Sequence, residues 1–218
     1  MHASARDVGE GLLGAAGIAL DLVTPFLRPV RSHWGLTEEE AARPHPGDGL
    51  VAHPDWSWTH AVEVDAPPLA TWPWVAQVGQ EKAGFYSYAW LENLVGCQVE
   101  NADRVHEEWS QPRPGDGLRL HPEMPPLSLV EVVPGAHMVA LGGVEGGPMP
   151  RVSWLFQVSP LPGSRCRVTS RFRSRLPAAA GTRERLVMGP WLTEGVGFVM
   201  DRRMLVGIKE RAEAAWQG

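Results

Sequence analysis

The stretch WLTEGVGFVMDRRMLVGIKERAEAAW, Trp191 to Trp216, decides how the rest of the chain must be arranged. Val196, Met200, Met204, Ile208, Ala212 and Trp216 recur every four residues, opposite Arg203, Lys209, Glu210 and Glu213. That spacing predicts a long terminal helix with one apolar stripe, loosened at its start by Gly195 and Gly197. Such a stripe needs a second layer to lie against.

Upstream, five strand candidates follow one another between Pro- and Gly-rich turns: DGLRLHP, PLSLVEVVPG, AHMVALGG, RVSWLFQVSP and CRVTSRFRSR. Short strands joined by tight turns predict an antiparallel meander. In the last, Arg167, Thr169, Arg171, Arg173 and Arg175 share one face and Val168 and Phe172 the other, so one side is read as wet and the other as dry. A buried Arg171 gripping an acidic ligand would need a register shift of one residue. Trp154, Phe156 and Val158 form the matching inward row on the strand before. Further upstream, WSWTHAVEV alternates strictly, with Trp56, Trp58, His60, Val62 and Val64 on one face. Two short helices follow. One lies in DAPPLATWPWVAQVG, with Asp65 as its expected cap and Pro73 limiting its length; the other lies in GFYSYAWLENLVG and stops at Gly96.

The order therefore reads as an α+β domain from about residue 55 to 218, with a curved antiparallel sheet of six to seven strands around a long C-terminal helix. Residues 31–54, punctuated by prolines and glycines, read as a connector, with Thr37 capping a short acidic helix in LTEEEAAR. Residues 1–30 read as an apolar helical segment.

Composition narrows the function. With 218 residues, 44% hydrophobic and 21% charged, the chain can bury one sizeable core. A net charge of −5 without a cluster of Lys and Arg argues against a nucleic-acid partner. Ten Trp against two Tyr suit a large core and a pocket equally. Cys97 and Cys166 lack metal or redox spacing and read as reduced structural thiols, with a single bridge left open. No His pairs with another His or Cys at ligand spacing, so no metal is expected, and no nucleotide-binding or nucleophile-elbow motif is present. Residues 11–27 are apolar but hold Asp21 and Pro25, which disfavours a membrane span; a cytoplasmic protein is expected, membrane-surface contact being the less favoured alternative.

This order, together with DAPPLATWPWVAQVGQ, GFYSYAWLENLVG followed by NADR, and FVMDRRMLVGIKERAE, resembles the SRPBCC superfamily. That is the helix-grip group containing START lipid-transfer domains, the birch-pollen allergen family and polyketide cyclases. Within it the chain is most similar to an actinobacterial subgroup of polyketide cyclase/dehydrase-like proteins. The resemblance implies a helix-grip fold and a cavity between sheet and helix for an apolar or amphipathic small molecule. It implies no cofactor and supplies no reaction by itself.

Candidate site residues follow from the faces. Trp58, Tyr86, Trp90, Asn93, Trp109, Trp154, Phe156, Phe172, Met200 and Met204 are the expected ligand lining. Tyr88, Glu92 and His60 are the candidate acid–base groups: a phenol and a carboxylate four residues apart, and an imidazole on an inward strand face. Each has a plainer alternative as a packed core group. The leading expectation is a binding protein for a lipid-like or polyketide-like molecule. One alternative is a cofactor-independent cyclase or dehydratase using those three groups; another is a protein anchored to a membrane surface or partner by its N-terminal helix. The oligomeric state stays open.

Overall fold

The computed structural model of the chain describes residues 5–216. In chain order, α1 (Ala5–Val23) is followed by a 3-10 turn (Pro25–Leu27), α2 (Arg28–Arg31), α3 (Glu38–Ala42) and a second 3-10 turn (Asp48–Val51). The domain proper then runs β1 (Trp56–Val64), α4 (Pro68–Ala76), α5 (Ala89–Leu94), a 3-10 turn (Glu107–Trp109) and β2 (Gly117–Leu118). It closes with β3 (Leu127–Val133), β4 (His137–Gly142), β5 (Arg151–Leu161), β6 (Arg165–Arg175), α6 (Thr182–Met188), a π-helical turn (Pro190–Glu194) and α7 (Gly195–Ala215).

The six strands form one antiparallel sheet in the order β1-β6-β5-β4-β3-β2, and α7 lies across its concave face, the helix-grip arrangement. A register shift between Leu129 and Glu131 adds local twist to β3. The expected α7 stripe holds in its middle, where Met204, Ile208 and Ala212 are buried, and fails at its ends. Trp216 is 40% exposed, and Val196 and Met200 are half-buried. A strict four-residue repeat drifts about 40° per step around a helix of 3.6 residues per turn, so only its centre faces the sheet. Asp201 and Leu205 complete the buried row.

Two local expectations need correction. Asp65 does not cap α4; Pro67 occupies that position without a side-chain bond, and the Asp65 carboxylate accepts from Arg165 at 2.7 Å instead. Nor is the arginine face of β6 wet. The connector folds back over it as a strap. Arg171 is 9% exposed and bonded to Asp48, Arg167 meets Glu40 at 2.8 Å, and Arg173 donates to the Val51 carbonyl at 3.0 Å. The register is as expected; the covering layer was not. Thr37 caps α3 with a full capping box, as its position predicts.

Close approach of α7 to the aromatic segment depends on Gly207, where a Cβ would collide with the Tyr86 carbonyl. Tyr86 itself sits at φ 53°, held by its amide to Asn101 (2.7 Å), by a Gln77 bond to its hydroxyl (2.7 Å) and by the Arg211 guanidinium 4.6 Å over the ring. Burial pushes this phenol well above its ordinary range. Cys97 and Cys166 are both free and buried. Among the described residues no single helix is long and apolar enough to cross a membrane.

Candidate functional site

The inward face of β1 sets the geometry. Period two places Trp56, Trp58 and His60 side by side, and their rings form a column. Trp56 and Trp58 lie 5.6 Å apart, and Trp58 stacks on His60 at 5.4 Å with planes 3° apart. Phe172 on β6 leans on both tryptophans, at 5.4 and 4.8 Å. Trp154 on β5 meets Phe172 edge-on at 6.0 Å and Phe156 at 4.6 Å. Aromatic side chains thus occupy much of the ground between sheet and helix. Two separate spaces lie at the two ends of the column, about 13 Å apart along the strand.

At the Trp56 end is a cleft of about 590 Å³. Its floor is Trp56, Phe172 and Val152, and its sides are Leu127 and Leu141 with Met124, Met149 and Met188. The walls are the loop before β3, the β4–β5 hairpin and the end of α6, which the Trp56 indole N–H pins through the Met188 carbonyl at 3.1 Å. Only Ser128, Ser174 and Thr193 bring side-chain polar groups besides that indole, and no lining residue is ionisable. The size falls within the range of small-molecule sites, and methionine gives it an adaptable wall.

At the His60 end is a smaller cavity of about 180 Å³. His60 Nδ1 lies 2.6 Å from Asp201 Oδ2; Ser170 donates to Asp201 Oδ1 at 2.7 Å, and the Trp154 indole donates to Ser170 at 2.9 Å. This chain of buried polar groups leaves Nε2 of His60 without a partner. With the carboxylate accepting from Nδ1–H, the lone pair of Nε2 is the open group, the arrangement of a general base. Phe198 and Trp191 wall the cavity, with the ion pairs Arg28–Glu194 (2.9 Å) and Arg31–Asp21. Burial raises the Glu194 carboxyl, opposed chiefly by its bond to Arg28.

The candidate acid–base groups occupy different places. His60 faces this cavity, Tyr88 lies under Gly14 of α1, and Glu92 is buried on α5 near Cys97. Glu92 Oε2 has no hydrogen-bond partner, and burial pushes its carboxyl up to about 7. Trp90 seats α1 beneath Gly11. Asn93 clamps the following loop, bonding both amide atoms to the Val99 backbone. Trp109 stacks on His106 at 4.4 Å, Met204 is core, and the Met200 carbonyl accepts from Ser87 at 3.2 Å. Of the expected lining, Phe172 reaches the apolar cleft directly, and Trp58 and Trp154 back it.

Asp201, Ser170 and Glu194 escaped the sequence reading. Asp201 did leave a signal: it stands three and four residues before Met204 and Leu205, on the buried side of the helix.

No family model matches the sequence, and no curated protein does. Solved structures do resemble the fold. The KanY protein is 12% identical over 72% of this chain and 97% of its own, with a TM-score of 0.43. CalU16 from Micromonospora echinospora is 13% identical over 72% of this chain and 84% of its own, at 0.34. The di-domain ARO/CYC BexL from the BE-7585A biosynthetic pathway is 18% identical over 76% of this chain and 53% of its own, at 0.36. The likeness is one of architecture. Function must be read from this chain's own residues.

Proposed function

We propose that this protein binds an apolar or amphipathic small molecule in the cleft at the Trp56 end of the aromatic column. The observation that carries the reading is a lining of some 590 Å³ with aromatic and aliphatic walls and no ionisable side chain. Such a site holds a ligand by burying its apolar surface, at about 25 cal/mol per Å², and orients it through a few hydroxyls. Extraction of freshly purified protein, followed by mass spectrometry, tests this. A retained lipid-like or polyketide-like compound supports it, provided Met149→Glu lowers its recovery. Recovery unchanged by that substitution would sink it.

A second reading is favoured by the His60–Asp201 pair. A buried imidazole with one nitrogen held by a carboxylate and the other open to a cavity is equipped to move a proton, so cofactor-independent acid–base catalysis on a small substrate is the alternative. Glu92, separate from it, has the protonation behaviour of an acid but no partner in that cavity. The two readings part on His60→Gln: it would leave ligand recovery intact if the apolar cleft alone is functional.

A further inference from the structure

Helix α1 is inside out. The side turned to the domain is a row of glycines: Gly11 over Trp90, Gly14 over Tyr88 and Leu91, Gly17 against Val199. A Cβ at Gly14 would come within 2.8 Å of the Tyr88 ring, so the helix comes down this far only because no side chain intervenes. Most of its large apolar side chains point away, Leu22 against Gly195 being an exception. Leu12, Leu13, Leu20 and Val23 are 58–72% exposed, and past the bend Phe26 and Val30 extend the patch. A surface helix normally buries leucine and exposes charge. The exposed strip from Leu12 to Val23 holds only Leu, Ala and Val.

The strip has a period. Gly9, Leu13, Ala16, Leu20 and Val23, all exposed, follow alternating steps of four and three, the 3.5-residue repeat of a two-helix seam. We propose that this seam is the contact between two copies of the chain, their α1 helices antiparallel about Ala16. In that register Gly9 faces Val23 of the second copy, Leu13 faces Ala19, Leu12 faces Leu20, and Ala16 meets itself. Gly9 and Ala19 then sit opposite the larger Val23 and Leu13, Leu12 packs against Leu20, and each of these three pairs occurs twice about a two-fold axis through the Ala16 contact. Parallel pairing would set glycine on glycine and leucine on leucine.

Exposure agrees with this. Leu12, Leu13, Leu20, Val23, Phe26 and Val30 are 58–73% exposed, six large apolar side chains on neighbouring turns where a monomer surface normally scatters them singly. Charge points the same way. A helix lying on a bilayer carries Lys and Arg free along its polar margin. By contrast, Asp7, Glu10 and Asp21 of α1 are acidic, and the arginines beside the strip are engaged, Arg28 with Glu194, Arg31 with Asp21 and Arg203 with Glu10.

Sedimentation equilibrium of the full chain at micromolar concentration tests the pairing. The wild type is expected to run as a dimer, and Leu13→Glu with Leu20→Glu as a monomer with unchanged circular dichroism. Gly9→Leu has open space within its own fold and is expected to weaken the dimer at least tenfold. Ala16→Cys is expected to give a disulfide-linked dimer on mild oxidation, and Gly9→Cys is not. A monomeric wild type overturns the proposal, all the more if it floats with phosphatidylcholine vesicles and the double variant does not. So does a dimer that survives the double substitution, or one cross-linked through Gly9→Cys and not Ala16→Cys.

Discussion

Arg171 and Asp48, 123 residues apart in the chain, meet at 2.7 Å behind the sheet. The guanidinium also donates to the Ala41 carbonyl at 2.9 Å and to the Thr59 hydroxyl at 2.5 Å, so its charge is fully engaged away from water. Asp48→Asn would leave that cation buried with its counter-charge gone. A loss of about 2–3 kcal/mol is expected, below the roughly 3–5 kcal/mol of a fully buried pair because Asp48 keeps some contact with solvent. Urea unfolding measures it, and Arg171→Met with Asp48→Leu should recover most of the loss.

Glu92 should make stability fall with rising pH. Its folded-state value near 7 lies above that of an unfolded glutamate, so the folded form holds the extra proton between about pH 4.5 and 7. Stability attributable to this group therefore declines across that window and stays low above it. Glu92→Gln is expected to be neutral at pH 4.5 and to stabilise by about 2–3 kcal/mol at pH 8. The comparison of wild type with variant isolates this from Glu40, whose carboxyl is held at about 2, first by the Thr37 backbone and then by Arg167, and which works in the opposite sense.

The His60 tautomer is a third test. With Asp201 accepting at 2.6 Å, neutral His60 should carry its proton on Nδ1 and leave Nε2 bare. Nitrogen-15 spectra of labelled protein read this directly. Asp201→Asn, able to present either an oxygen or an amide, should erode the preference, and finding the proton on Nε2 in the wild type would contradict the general-base geometry.

Ligand occupancy of the apolar cleft should be visible at Trp56, whose ring is its floor. An apolar ligand is expected to shift tryptophan emission, and Trp56→Phe to remove most of the change. Met124→Glu and Met149→Glu, both at partly exposed positions on the rim, are expected to weaken binding at least tenfold with little effect on melting temperature.

Particular residues explain what the sequence disclosed. The strand Trp56–Val64 was legible to the residue because β-branched and aromatic side chains alternate without a break. The capping box at Thr37 was legible because it is a local bond pattern. The strap was not: arginines alternating on a strand read the same whether water or Asp48 lies over them, and pairing over 123 residues leaves no periodic trace. Of the site, His60 could be picked out by its face, but its partner Asp201 sits before two arginines and reads as part of a charged turn of helix. Tyr88 and Trp90 stood out as aromatic groups, expected as an acid–base candidate and as ligand lining, and both lie instead against α1. The surface they meet is a glycine row from the chain's own first helix, whose only trace in the sequence is the three-residue spacing of Gly11, Gly14 and Gly17.

The connector does one thing more. The Thr59 and Ala61 amides, which β1 would otherwise offer to any passing strand, donate to the Ser32 and Trp34 carbonyls at 2.8 and 2.9 Å. The opposite border of the sheet ends in β2, two residues long. The strapped β1 border cannot seed strand-to-strand growth, so along that edge a crowded population of these molecules is protected from templating one another into fibres.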